Sequence, residues 1–265
     1  MNSAVLIRLS LLFLLSAGSV DAATLREIEA RGYMMVGMAA QPSAFGGMAD
    51  GKPSGFDAAL IDDFARSVPF EVRRRPIAAG DIEAALIDGT IDLAASSIEI
   101  APRQQAVAFV GPDAETTRHY LKRKGDHRIA TVADLGGRRF GATDSLDVTE
   151  MESRLAQAGA KTGDSIDYPT VREAGDLLVA RRVDFVVGAI ADLEASVRQH
   201  PNDLEIGSPV SAKAYAGWAV ARNNVALALQ VRNFLSVERN TGALAALQQK
   251  YLGRSFADMP PARTD

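Results

Sequence analysis

Apolar and polar positions along the chain switch between two periods. From Tyr33 to Met38 the run is almost wholly apolar and short, which predicts a buried strand. From Asp57 to Ser67 apolar residues return every three or four positions, the signature of an amphipathic helix, and Phe70 to Arg74 reads as the next strand. Asp81 is placed to cap a helix running through Asp88, since a carboxylate at a helix start accepts from free amides. Gly89 then supplies the left-handed stop, and Ile91 to Ala95 follows as a strand. Phe109-Val110-Gly111-Pro112 reads as a break in packing. Beyond it lie strands at Arg118 to Arg123 and Tyr215 to Ala221, then helices at Val225 to Arg239 and Gly242 to Tyr251. Strands alternating with helices predict an α/β fold with largely parallel sheets.

One unit recurs. Leu86-Ile87-Asp88-Gly89-Thr90-Ile91-Asp92-Leu93 and Leu178-Val179-Ala180-Arg181-Arg182-Val183-Asp184-Phe185 share a helix end, a short turn, a branched apolar residue, Asp and an apolar strand. The recurrence suggests two lobes of similar plan, although Arg181 in place of Gly89 leaves room for a different turn geometry. If the strands at 118–123 and 215–221 both pass between lobes, the first lobe is discontinuous and the lobes share a two-stranded hinge. That divides the chain into residues 1–22, 23–113, 114–214 and 215–265, with a ligand cleft between the lobes.

Residues 1–22 read as a signal peptide. Arg8 precedes the apolar run Leu9 to Leu15, and Val20-Asp21-Ala22 offers the small-x-small cleavage pattern, with cleavage expected after Ala22. No later apolar run reaches membrane-spanning length. The expected location is the periplasm. There is no cysteine, which excludes a disulfide framework, a thiolate metal site and a lipid-bearing cysteine. Roughly 240 residues beyond the signal fit two lobes, and 47% hydrophobic content suffices for their cores. A net charge of -4 with mixed signs argues against nucleic acid as a partner; the one sharp basic run, Arg73-Arg74-Arg75, reads as a solvated strand end.

Several segments, in order, resemble the extracellular solute-binding proteins of family 3. These are Thr24 to Ile28 before Tyr33 to Gly37; Lys52-Pro53-Ser54-Gly55-Phe56-Asp57; Ile87 to Asp92 followed by Ser96-Ser97-Ile98; Arg103-Gln104-Gln105 before Ala108-Phe109; Ala133 to Gly141; and Thr241-Gly242 with Tyr251. The resemblance implies a two-lobed periplasmic binding protein fold of type II, two hinge strands, and capture of a small polar solute for an ABC transporter permease. It implies no cofactor, no catalysis and a monomer. It assigns Arg103, Ser96 and Ser97 to a ligand carboxylate, which suits the bidentate pairing of a guanidinium. Where the family commonly has an acid for the ligand's ammonium this chain has Ala189, so Asp192, Glu99 and Asp147 are the candidate replacements. Phe45 is the nearest candidate for an aromatic lid.

Other functions use the same fold. Glu99, an acid where a hydroxyl is usual, could act as a general acid after desolvation, as the resemblance to cyclohexadienyl dehydratases implies. A ligand-binding module for a sensor or partner protein is a further alternative. His119, His127 and His200 are scattered, and neither a nucleophile elbow nor a phosphate-cradling loop is present.

Overall fold

The structure is a computed structural model that describes residues 23–40, 43–49, 51–99, 107–142, 145–168 and 171–264. Within these, the side chains at 49, 96–99, 145–147 and 171–172 lie outside the description. Helix α1 (Leu25–Arg31) opens on a capping box in which Thr24 and Glu27 satisfy each other's amides, and ends at Gly32, whose φ of 77° is the left-handed stop. Strand β1 (Tyr33–Ala39) follows, with its centre buried, and then the hairpin β2 (Gly47–Ala49) and β3 (Lys52–Ser54). Next come α2 (Gly55–Ser67), β4 (Glu71–Ile77), α3 (Ile82–Ile87), β5 (Leu93–Glu99) and β6 (Val107–Glu115). A second group holds β7 (Arg118–Arg123), β8 (Phe140–Ala142), α4 (Ser145–Gln157), β9 (Ser165–Asp167), α5 (Val171–Val179), β10 (Phe185–Ala189), α6 (Ile190–Gln199) and β11 (Leu204–Pro209). The chain closes with β12 (Tyr215–Ala221), α7 (Val225–Thr241), α8 (Ala243–Leu252) and β13 (Arg263–Thr264).

The strands form two main sheets, ordered β13-β6-β12-β5-β1-β4 and β11-β7-β10-β8-β9. The two-lobed α/β fold follows from this order, because β6 leads from the first sheet into the second and β11 leads back to β12 in the first. In lobe one, β1 runs parallel to both β4 and β5. Its core joins α2, β12 and α7 through an aromatic trio: Phe64 lies edge-on to Trp218 at 5.6 Å and to Phe234 at 5.1 Å. Removing a buried ring of this kind costs about 3–5 kcal/mol. In lobe two, Phe140 and Phe185 sit opposite each other on adjacent parallel strands and stack at 5.3 Å.

Five local expectations are corrected. Asp81 makes no capping hydrogen bond, because a 3-10 turn over Ala79–Asp81 runs straight into α3 and leaves Asp81 in helical, not extended, geometry. Strand β5 does not end at Ala95 but continues through Ser96 and Ser97 to Glu99, held by β12 pairing at Gly217↔Ile98 and Ala216↔Glu99. Gly111-Pro112 does not break the sheet: β6 passes through it, and the register with β12 jumps from Ala216↔Ala114 to Trp218↔Val110. The bulge fits because two glycines meet there; a Cβ on Gly217 would lie 2.6 Å from the Val110 carbonyl oxygen. The two turns of the repeat do share one geometry, since Gly89 has φ 71° and Arg181 has φ 57°. Arg73 and Arg74 lie along edge strand β4 rather than at its end; Arg73 covers the Tyr33 ring at 4.0 Å and Arg74 pairs with Asp62.

Candidate functional site

Two short segments carry the chain between lobes, Thr116-Thr117 and 210–214, and they hold each other. The Thr116 amide donates to the Ala214 carbonyl at 2.9 Å, and the Ala214 amide to Thr117 Oγ1 at 3.2 Å. The Arg118 amide donates to Ser211 Oγ at 3.0 Å, and the Val210 amide to the Arg118 carbonyl at 2.9 Å. The crossing is therefore a narrow ribbon of two segments that lie outside the strands of either sheet and are tied by these four hydrogen bonds.

Helix α6 ties this ribbon to both lobes. Its first amide, on Ile190, donates to the Thr117 carbonyl at 3.1 Å. One turn in, Asp192 Oδ1 accepts from the Ala44 amide of lobe one at 2.9 Å. A carboxylate in a first helical turn is favoured by the helix dipole, and here it also serves as the acceptor for the opposite lobe. Ala191 is fully buried against the lobe-one core, and Glu194 Oε1 lies 3.5 Å from Arg254 Nη1 beyond α8.

Ala44 is positioned by the segment that precedes it and by the start of α2. Ser43 and Gly46 form an isolated bridge, the Phe45 amide donates to Ser43 Oγ at 3.2 Å, and the Asp57 amide donates to the Phe45 carbonyl at 2.8 Å. Gly46 and Gly55 must be glycine for this approach: both have positive φ, and a Cβ on Gly55 would lie 2.4 Å from the Gly46 Cα. The Gly-Phe-Asp turn thus fixes the loop that meets Asp192.

The candidate ligand residues fall as follows. Asp192 sits at the lobe-lobe contact. Phe45 is only 5% exposed and packs in the main lobe-one core. Ser96, Ser97 and Glu99 lie on β5 and Asp147 in the first turn of α4, with side chains outside the description; Arg103 lies outside the described residues. Ala189 is the N-cap residue of α6, immediately before the helix that carries Asp192. Thr117, Ser211 and Ala44 carry no signal in the sequence: Ala44 acts through its amide, and the Thr117 and Ser211 hydroxyls accept from amides of the other crossing segment, a pairing that depends on how the two segments meet.

Two cavities flank the ribbon. One, of about 390 Å³, is bounded by Arg118, Glu150, Lys213, Tyr215 and Arg263 among others; the second, of about 380 Å³, by Thr117, His119, Ile190 and the segment after α8. His119 Nδ1 is 2.9 Å from the Gly207 carbonyl oxygen and His200 Nε2 is 3.1 Å from Asp176 Oδ1, so both rings have structural partners. Among the described residues no three His, Cys, Asp or Glu side chains are grouped to hold a metal ion. No helix among them is long and apolar enough to cross a membrane.

Comparison with known proteins agrees with this architecture. The chain is 25% identical over 207 residues to a membrane-bound lytic murein transglycosylase F from Desulfosudis oleivorans, covering 75% of this chain and 44% of that protein. It thus spans about half the length of the curated relatives it matches. Among solved structures, an ancestral arginine-binding protein bound to glutamine is 29% identical with a TM-score of 0.65, covering 84% of this chain and 99% of its own. An ancestral cationic amino acid solute-binding protein superposes with a TM-score of 0.75 at 22% identity, over 87% of this chain and 100% of its own. A family profile matches residues 34–254, nearly the whole described chain, and this chain therefore belongs to the bacterial extracellular solute-binding proteins, family 3.

Proposed function

We propose that this protein captures a small polar, carboxylate-bearing solute in the cleft between its lobes and delivers it to an ABC transporter. In this reading residues 1–22 are a signal peptide, the mature protein works in the periplasm as a monomer, and residues 23–113 with 215–265 form one lobe and 114–214 the other. The observation that carries it is the double attachment of α6: its start is bonded to the crossing ribbon at Thr117 and its first turn to lobe one at Ala44. A bend in the ribbon therefore moves Asp192 relative to Ala44, so lobe closure and the composition of the cleft change together. A ligand that contacts both lobes binds the closed form better and shifts the population towards it.

In this reading the carboxylate-binding group is Arg103, acting together with Ser96 and Ser97, which lie on β5. Binding, not catalysis, is the activity assigned, and Glu99 contributes charge to the cleft. The test is calorimetric titration of the cognate solute into wild-type protein and Arg103→Ala. Loss of a charge-assisted bidentate pair is expected to weaken binding at least tenfold with the melting temperature of the free protein unchanged. Equal affinity in the two proteins would remove Arg103 from the site.

A further inference from the structure

Helix α6 belongs to lobe two but presents a second face to lobe one. Leu193 and Val197, one turn apart, pack in the lobe-two core with Leu121 and Tyr168. Ala191, Glu194 and Arg198 recur at helical spacing on another side, and all three meet lobe one. Ala191 is fully buried in the lobe-one core, and Glu194 Oε1 lies 3.5 Å from Arg254 Nη1. Arg198 reaches the end of α8, where its Nη1 fills the space that a Cβ on Gly253 would take, with Glu194 Cβ 3.9 Å from the same point. Gly253 is the C-cap of α8 with φ 83°, so backbone and space both favour glycine there.

None of these three residues belongs to the ligand set assigned above, so the contact they make is independent of the solute. The carbonyl end of a helix carries partial negative charge, and here a guanidinium from the opposite lobe meets it. The Glu194–Arg254 pair is part-exposed on both sides, 26% and 42%, and adds little by itself. Position gives these contacts leverage. Helix α6 starts at the ribbon, where the Thr117 carbonyl accepts from the Ile190 amide at 3.1 Å, and Arg198 lies about 12 Å further along the helix axis. A bend at the ribbon therefore displaces Arg198 more than Ala191 or Glu194, and the end of α8 is where the two lobes part first.

We propose that the face formed by Ala191, Glu194 and Arg198 is a solute-independent latch that holds the lobes together, with Arg198 as the positioning residue at its far end. The inference rests on the hinge-closure reading and adds regulation to it: the fraction of molecules that the latch leaves separated lowers the apparent affinity for solute in proportion. The test uses no solute, so its outcome is separate from that of the Arg103→Ala titration. Because the chain has no cysteine, Lys52→Cys in lobe one and Glu152→Cys in lobe two, both exposed, place two spin labels whose separation is read by pulsed electron resonance. The labels are carried by otherwise wild-type protein, by Glu194→Ala/Arg198→Ala, and by Arg198→Lys, which keeps a cation at the end of α8. The double variant is expected to show roughly three- to tenfold more of the separated population than wild type, and Arg198→Lys the wild-type distribution. Glu194 and Arg198 lie outside the lobe cores, so both lobes stay folded in these variants. The proposal is overturned if the double variant keeps the wild-type distances, or if Arg198→Lys separates the lobes as far as the double variant does.

Discussion

At the scale of single residues, the most informative group is Asp113, fully buried on β6 beneath the lobe-one helices. Among the described residues neither carboxylate oxygen meets a hydrogen-bond donor in good geometry, while Gln248 Nε2 donates to its main-chain carbonyl at 2.6 Å. Burial pushes the Asp113 carboxyl well above the usual range, and the nearby Asp57 carboxylate adds to it; Arg239 opposes them more weakly. A raised acid keeps a proton in the folded state that the unfolded chain releases, so stability falls as pH rises from about 4 through the folded value. Asp113→Asn removes that cost. It is expected to raise the melting temperature at pH 7 by several degrees, worth about 1–3 kcal/mol, with the gain vanishing near pH 4. Thermal melts of the two proteins across pH 4 to 8 check this; a gain that is equal at both ends would contradict it.

At the scale of elements, the repeat is the instructive case. The recurrence of helix end, turn and strand was readable from residues alone, yet the shared left-handed turn was not, because Arg at 181 gives no sign of a positive φ. A side-chain-bearing residue held there costs roughly 1 kcal/mol relative to glycine. Arg181→Gly is accordingly expected to raise the melting temperature by roughly 2–4 °C, whereas Arg181→Ala, which loses the charge but keeps the Cβ, should give no gain. Equal melting of the two variants would show that charge, not conformation, matters at this turn. The same limit explains β5 and β6. Ser-Ser-Ile-Glu and Gly-Pro look like turns in composition, but pairing with β12 and the facing glycines 111 and 217 extend both as strands. The apolar runs of β1 and α2 needed no such neighbour, and they were legible at once. The site was legible only in part: Asp192 could be named as a candidate, but its bond to Ala44, 148 residues away in sequence, depends on how the lobes meet.

At the scale of the whole molecule, two cores are joined by a ribbon of main-chain and hydroxyl hydrogen bonds, with α6 bonded to both sides of the joint. Each lobe keeps its own aromatic packing, so bending the ribbon leaves both aromatic clusters intact, and the lobe-one core meets the moving helix at Ala191. That separation lets a ligand shift the lobes while the aromatic packing of each is kept. The measurement that tests the central claim most directly is the melting temperature of residues 23–265 against a panel of amino acids, amines, dicarboxylates and opines. A ligand at a hundred times its dissociation constant adds about 2.7 kcal/mol, which for a chain of this size is a shift of several degrees. The account predicts such a shift with one class of carboxylate-bearing solute and none with the amines. A shift with amines alone, or none with any compound of the panel, would contradict it.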